Sequence, residues 1–479
     1  MLYDMQDFIS KRTKIIATVG PSTQDYEVLK KLILAGVTTI RANFSHGSYE
    51  EQQNKFENAK KASHELNIPI SIMLDTKGPE IRVGKMLNGG QQISANQELI
   101  VLTSTNDYQN FEGTSSVITV SHQIDNDLKV GDQVLFDDGK LQSIVVEIFK
   151  NQVKVRTKNA HFLRSNKRLN MPGVVFSLPF LSEKDKKDVL FGIQQKVDYV
   201  AASFVNTPED VLELRKLLDE NGGKHIQIIS KIESTLGLEN IDKIIEYSDG
   251  IMVARGDLGL EVPFQEVPYQ QKRIIRKCRF AGKTVVVATQ MLDSMEKSAQ
   301  PTRAEVSDVY WATELGADAT MLSGESAQGQ FPLESVQVMA TINKRAEREF
   351  YNKLFYDKQL AVITENSVGH RAKIAHKLAH ITQDREIKYT IVLSRTGELL
   401  KTIAKFRPNT AVIGVLNNPD LIGGFGITSS VFVSLNSLAD FQAIKSDYKL
   451  AREVLKPFGV QPGDTFLVVE NEKVTEFTY

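Results

Sequence analysis

One cysteine, Cys278, is all that the 479 residues contain, so no disulfide can form within the chain and a secreted, disulfide-framed protein is excluded. Neither sign of charge is in excess. The 58 Lys plus Arg against 59 Asp plus Glu leave a net charge of −1, without the basic surplus that nucleic-acid binders use to neutralise phosphates. No uncharged apolar run reaches the roughly 18 residues that span a bilayer. The opening stretch "MLYDMQDFISKRTKII" lacks the basic-then-apolar order of a secretory signal. No G-x-x-x-x-G-K-[ST] occurs, so a nucleotide would not be held by a P-loop, and "GGFGIT" is too short for a dinucleotide fingerprint. These absences lead us to expect a cytoplasmic protein with neither membrane nor nucleic acid as a partner.

What is present is a rhythm. Short apolar runs rich in β-branched residues alternate with charged, helix-patterned segments, the signature of parallel strands joined by crossover helices. In order the runs are "KIIATVG", "TTIRANF", "ISIMLDT", "DYVAASF", "QIISKIE", "GIMVARGD", "TVVVATQ" and "ATMLSGE". Eight such units predict an α/β fold, a (β/α)8 TIM barrel, whose strands are apolar on both faces because both are buried. The chain is also too long for one core of about 100–250 residues. After "LDTKGPEIR" the rhythm breaks, and turn residues separate short alternating runs such as "QVLFDDGK", "QSIVVEIF" and "QVKVRTK". We expect an inserted all-β lid domain over residues 79–170, standing over the barrel mouth. The catalytic barrel would comprise 1–78 and 171–349. Residues 350–479, with "KYTIVLS", "TAVIGVL", "SVFVSL" and "DTFLVVE", predict a C-terminal open α/β domain.

All barrel strands point their carboxyl ends to one face, so the polar residues there converge. Strand two ends in Arg41, Asn43, Ser45 and His46, strand three in Asp75, Thr76 and Lys77, and strand five in Lys231 and Glu233. Arg255 and Asp257 end strand six, Thr289 and Gln290 strand seven, and Ser323 and Glu325 strand eight. Glu233 and Asp257 offer hard oxygens for Mg2+, which takes one or two carboxylates and leaves positions for water and substrate. Lys231, on the same strand face as Glu233, suits charge developing on a phosphoryl or enolate oxygen, although the same spacing would also make a structural ion pair. Asn43, Ser45, Asp75 and Thr76 form an oxygen group with a single carboxylate, better matched to a monovalent cation. Arg41 and Arg82 present guanidinium forks for phosphate or carboxylate. His376 and His380 are four apart but lack a third ligand, and Cys278 and Trp311 read as packing residues.

"TKIIATVGPS", "RANFSHG", "LDTKGPEIR", "LPFLSEKD", "SKIES", "MVARGDLG", "ATQMLDSM", "PTRAEVSDV" and "MLSGESA", in that order from about residue 11 to 332, resemble the motifs of the pyruvate kinase family. The resemblance implies phosphoryl transfer from phosphoenolpyruvate to ADP in glycolysis, with Mg2+ (or Mn2+) and K+ as cofactors and a homotetrameric assembly. It implies Glu233 and Asp257 as Mg2+ ligands, and Asn43, Ser45, Asp75 and Thr76 as K+ ligands. Lys231 and Arg41 are similar to the cations beside the transferring group, and Gly256, Asp257 and Thr289 to residues around the substrate. Thr289 and Ser323 fall where the family places hydroxyls concerned with protonating the enolate. His46, Arg82 and Lys167 match nucleotide-phosphate contacts, and the "DDG" of Asp137, Asp138 and Gly139 matches a turn on the nucleotide side of the lid. Glu80 resembles members that need K+. In the C-terminal part, "LSRTGELL" departs from the family's sugar-bisphosphate loop: Glu398 stands where a basic residue would help and Leu399 where a hydroxyl would, so altered allostery is expected. A Mg2+-dependent aldolase or lyase acting on pyruvate enolates, and a catalytically idle regulatory paralogue, are the competing readings.

Overall fold

The structure, a computed structural model, describes residues 5–479, with side chains from Phe8 onward; the first residues of the opening stretch read above lie outside the described residues. Eight parallel strands close into a barrel. They are Lys14–Thr18, Thr39–Asn43, Ser71–Asp75, Tyr199–Ala202, Gln227–Ile232, Gly250–Ala254, Thr284–Ala288 and Ala319–Leu322. Each lies where an apolar run predicts it. Their alternation explains why both faces are apolar: Ile16, Met73, Ile229, Met252, Val286 and Met321 fill the interior, while neighbours such as Ile15, Ala17, Ile40, Ile228 and Val285 pack outward against the helices.

Local chemistry sets the helix starts. Ser48 with Glu51, Ser182 with Asp185, Thr207 with Asp210 and Thr302 with Glu305 form reciprocal capping boxes, each satisfying two otherwise unpaired backbone donors. The insertion after the third barrel strand forms a seven-stranded sheet and a two-stranded ribbon around its own core of Val83, Val101, Phe136, Val153 and others. The C-terminal part holds a five-stranded sheet, one strand more than the apolar runs suggest. The extra strand, Lys473–Thr478, pairs antiparallel at the edge; its exposed, polar character hides it from an apolar-run search.

The floor of the barrel is closed by the C-terminal part. Ile427 is fully buried with the barrel-interior residues. The turn before it is fastened to strand starts: Ser71 Oγ donates to the Gly423 carbonyl at 2.6 Å, Thr38 Oγ1 to Gly426 at 2.7 Å and Gln227 Nε2 to Gly424 at 2.8 Å. A Cβ on Gly426 would fall 2.0 Å from Ser71 Oγ, so the glycines of "GGFGIT" are there for close approach. Cys278 is fully buried as expected, whereas Trp311 is 57% exposed, because it faces solvent on its helix and rests only edge-on against Tyr310. His376 and His380 face each other on an exposed helix surface with ring nitrogens 3.0 Å apart. No helix among the described residues is long and apolar enough to cross a membrane.

Candidate active site

The carboxyl ends of the strands carry a buried network of charge. Lys231, on the fifth strand, points its ammonium at Ser203 Oγ (2.7 Å), Asp75 Oδ1 (3.1 Å) and Glu233 Oε1 (3.1 Å). Asp75, 1% exposed, also accepts from Arg41 Nε at 2.6 Å, and Arg41 reaches Thr18 Oγ1 at 2.9 Å. Burial alone would strip Lys231 of its charge, but Asp75 and Glu233 outweigh it and its pKa is raised. Burial likewise works against Asp75, and Arg41 and Lys231 reverse that to hold its carboxyl below the ordinary value. Glu233 moves the other way: burial, reinforced by the charge of Asp257, pushes it up despite Lys231 and the Phe204 N–H. This carboxylate is short of positive charge.

Asp257 lies just past the sixth strand and is engaged from above. Arg168, in the insertion strand Arg168–Asn170, makes a close ion pair with Asp257 and reaches Asp138 at 3.3 Å and Glu80 at 3.6 Å. A guanidinium thus already sits on Asp257. Among the described residues no three His, Cys, Asp or Glu side chains gather as a cage, so Glu233 and Asp257 would hold a divalent ion only with help from substrate and water oxygens. Asn43 and Asp75 are register partners on adjacent strands. Asn43 Oδ1 accepts from the Ser45 N–H at 3.0 Å, and Thr76 Oγ1 accepts from the Ser203 N–H at 3.0 Å. These four oxygen-bearing residues therefore sit at neighbouring strand ends.

Strain marks the same rim. Phe204, Thr289 and Gln290 have φ of +55°, +69° and +52°, a region costly for non-glycine and above all for β-branched residues. Each follows a barrel strand. The twist at Thr289 fixes its hydroxyl, which accepts from the Gly256 N–H at 2.7 Å and donates to the Ala288 carbonyl at 2.6 Å. Arg255 braces this turn rather than facing the mouth: it is gripped by both Asp308 carboxylate oxygens at 2.6 Å and donates to the Thr289 carbonyl at 2.6 Å. Ser323 is half-buried, its N–H bound to Glu325 Oε2 at 2.7 Å.

The expected nucleotide contacts are more dispersed. Arg82 and Arg168 are register partners on paired strands of the insertion. Arg82 binds Glu80 at 2.6 Å and the Asn166 carbonyl at 2.9 Å, while Lys167 pairs with Asp137 at 3.0 Å. Asp137, Asp138 and Gly139 all adopt positive φ, as a tight turn there requires. His46 is exposed on the barrel rim, and no hydrogen bond or ion pair joins it to Arg82 or Lys167. Three residues at the site escaped the sequence reading. Ser203, ending the fourth strand, obeys the same strand-end rule. Arg168 adjoins Lys167 but pairs with Asp257, whereas Lys167 pairs with Asp137. Glu261, whose pKa burial raises to about 7 with the charge of Asp257 adding to it, lines a cavity of about 260 Å3 between insertion and barrel with Glu80, Arg168 and Phe204.

Residues 10–336 match the family model described as pyruvate kinase, barrel domain. The chain belongs to the pyruvate kinase family. It is similar to a pyruvate kinase of Mycoplasma pneumoniae, 40% identical with 94% of each chain covered. It is also similar to that of Mycoplasma genitalium, 42% identical over 89% of this chain and 90% of the relative. Among solved structures it is similar to a pyruvate kinase from Cryptosporidium parvum, with a TM-score of 0.89, 35% identity, and coverage of 98% and 97%. The barrel, the insertion over its mouth and the C-terminal sheet are thus the pyruvate kinase fold.

Proposed function

We propose that this chain transfers the phosphoryl group of phosphoenolpyruvate to ADP at the barrel mouth, giving pyruvate and ATP, with Mg2+ or Mn2+ and K+ as its cations. The reading is carried by the buried Lys231 ammonium, fixed by Ser203, Asp75 and Glu233, beside an Asp257 that the insertion reaches through Arg168. Glu233 and Asp257 would hold the divalent ion, which when bound supplies Lewis-acid neutralisation of phosphoryl and enolate oxygens. Asn43, Ser45, Asp75 and Thr76 would hold the monovalent one.

In the transfer, the terminal phosphate oxygen of ADP attacks phosphorus as the bond to the enol oxygen breaks. Negative charge collects on that oxygen. An ammonium already fixed there by three oxygens needs no reorganisation when the charge arrives. Arg41, locked by Asp75 and Thr18, adds a second immobile cation on the phosphoryl side. The methylene carbon of the enolate then takes a proton, for which Thr289 and Ser323 present hydroxyls at the rim. Gly256 and Thr289, tied together by the 2.7 Å bond, shape the pocket for the substrate carboxylate. His46, Arg82 and Lys167 are the cations for the phosphates of ADP, and the insertion closing over them would exclude water and suppress hydrolysis.

The division into a barrel of 1–78 and 171–349, a lid of 79–170 and a C-terminal domain of 350–479 belongs to this reading and is supported by the three separate sheet systems. Family membership supports a homotetramer, which light scattering would check. The decisive assay is coupled ATP formation from phosphoenolpyruvate and ADP, with the divalent and the monovalent cation omitted in turn. ATP formation should vanish without the first and fall steeply without the second. Enolate chemistry on pyruvate without ATP formation would restore the aldolase reading.

A further inference from the structure

One motif of the sequence has no part in the transfer reaction: the "AHKLAH" of the C-terminal helix His370–Asp384. Its histidines, His376 and His380, are four residues apart and so lie on one face of the helix, one turn from each other. Their Nε2 atoms converge to 3.0 Å, with the ring centroids 4.4 Å apart and the planes at 78°. Neither ring makes an ion pair among the described residues. The carboxylate one turn further along, Asp384, is taken by Lys353 at 2.9 Å.

The pair is held from beneath. His376 is half-buried, its ring edge-on to Phe406 at 6.4 Å between centroids, and Phe406 is itself buried at the end of the neighbouring helix Glu398–Phe406. His380 is exposed. Burial, and after it the nearness of His380, hold the His376 imidazole below its ordinary pKa, so it offers a lone pair at neutral pH. Two nitrogens each about 2.0–2.1 Å from a shared ion stand about 2.8–3.0 Å apart at a right angle and about 3.3–3.4 Å apart at a tetrahedral one. The observed 3.0 Å is the right-angled bite, that of a tetragonal or octahedral ion.

We propose that His376 and His380 form a two-point clip for one divalent transition-metal ion of the Ni2+ or Cu2+ class, bound through both Nε2 atoms with water at the remaining positions. Imidazole nitrogen suits these ions, whereas Mg2+ takes oxygen, so the clip does not draw on the divalent ion of the barrel mouth. Before binding, one ring donates its Nε2–H to the other Nε2. On binding, that proton leaves to solvent and the same ring takes one at Nδ1, which leaves two neutral imidazoles and no net proton release. With two protein ligands instead of the closed four of a structural site, the ion is exchangeable. Coordination ties two successive turns together and so stiffens the helix.

The test is isothermal titration calorimetry on the full chain with NiCl2, and separately with CuCl2, in excess Mg2+ so that the carboxylates of the barrel mouth do not compete. One saturable site per chain is expected, with Kd below about 100 μM and Cu2+ bound more tightly than Ni2+. The electron paramagnetic resonance spectrum of the Cu2+ form should carry superhyperfine lines from two imidazole nitrogens. His376→Gln and His380→Gln should each weaken Ni2+ binding at least tenfold, about 1.4 kcal/mol, while kcat and the KM for phosphoenolpyruvate measured without transition metal stay within twofold. His380 is exposed, so its substitution keeps the test open if His376→Gln impairs folding. No saturable Ni2+ binding below about 1 mM, a Cu2+ spectrum with a single nitrogen, or binding that both substitutions leave unchanged overturns the proposal; the last would mean adventitious binding elsewhere on the chain.

Discussion

Replacing Lys231 with Met removes one charge from a place where the structure lets the consequences be followed. The ammonium satisfies Ser203, Asp75 and Glu233 at 2.7, 3.1 and 3.1 Å. Asp75 keeps its 2.6 Å bond to Arg41. Glu233 keeps only the Phe204 N–H at 2.7 Å, so it is the group left stranded. Breaking a buried pair by removing one partner costs about 3–5 kcal/mol. Glu233 is already raised and can take up a proton instead of remaining charged, which puts the expected loss near the lower bound, about 3 kcal/mol. Catalysis should suffer separately. Withdrawing a fixed donor from developing charge lowers kcat by about 10²–10³-fold, and a cation in phosphoryl transfer counts for as much as about 10³–10⁵-fold. We therefore expect kcat to fall about 10³-fold, near 4 kcal/mol, in a protein that still melts cooperatively, with the KM for phosphoenolpyruvate changed much less. Steady-state ATP formation and thermal denaturation on the same preparation measure the two effects. A folded Lys231→Met protein with kcat within tenfold of the parent would refute the assigned role.

Arg168→Gln should free Asp257 from the insertion. Mn2+ binding followed by electron paramagnetic resonance is expected to tighten severalfold and hydrogen exchange around residues 79–82 and 168–170 to quicken; no change in either would mean that Arg168 neither latches the insertion nor competes for the carboxylate. Thr289→Ser keeps the acceptor for the Gly256 N–H and should retain most activity, whereas Thr289→Ala should lose about 10²-fold in kcat, as initial rates will show. Asp198 accepts from the Ile72 N–H at 2.7 Å and abuts Gly423; burial raises its pKa to about 7. The folded state therefore keeps this proton at pH values where the unfolded chain has lost it, so stability is full below about pH 4 and declines as pH rises toward 7. Asp198→Asn should abolish that decline and gain about 1–3 kcal/mol at pH 8 with no gain at pH 4, read from urea melts at the two values. Fructose 1,6-bisphosphate should leave the rate at subsaturating phosphoenolpyruvate unchanged, because Leu399 is buried at 7% exposure and Glu398 is occupied by Lys401.

The barrel was legible because its strands satisfy two apolar environments at once, so Ile15 and Ile16 both had to be apolar although they face opposite ways. The strand-end rule then brought Lys231, Glu233, Asp75 and Arg41 to one face, but it set Asp75 in a separate oxygen group and did not show that Arg41 and Lys231 share that carboxylate. It did not reach Arg168, which lies on the insertion and not at a barrel strand end. Only the docking of the insertion shows that Arg168 turns to Asp257 while Lys167 turns to Asp137. The strain at Phe204 and Thr289 was equally invisible, since neither residue type advertises positive φ. The edge strand Lys473–Thr478 lacked the apolar signature that revealed its neighbours, and the role of "GGFGIT" depended on contacts with residues more than 300 positions earlier in the chain.

Those distant contacts bear on how the molecule comes apart. Ile427 stoppers a cylinder whose wall is made of residues 14–322, so a fragment cut ahead of the C-terminal sheet would leave its innermost side chains open to water from below. Heating should consequently melt the cylinder and its stopper in one transition, and synthesis on the ribosome cannot finish the first until the second has emerged.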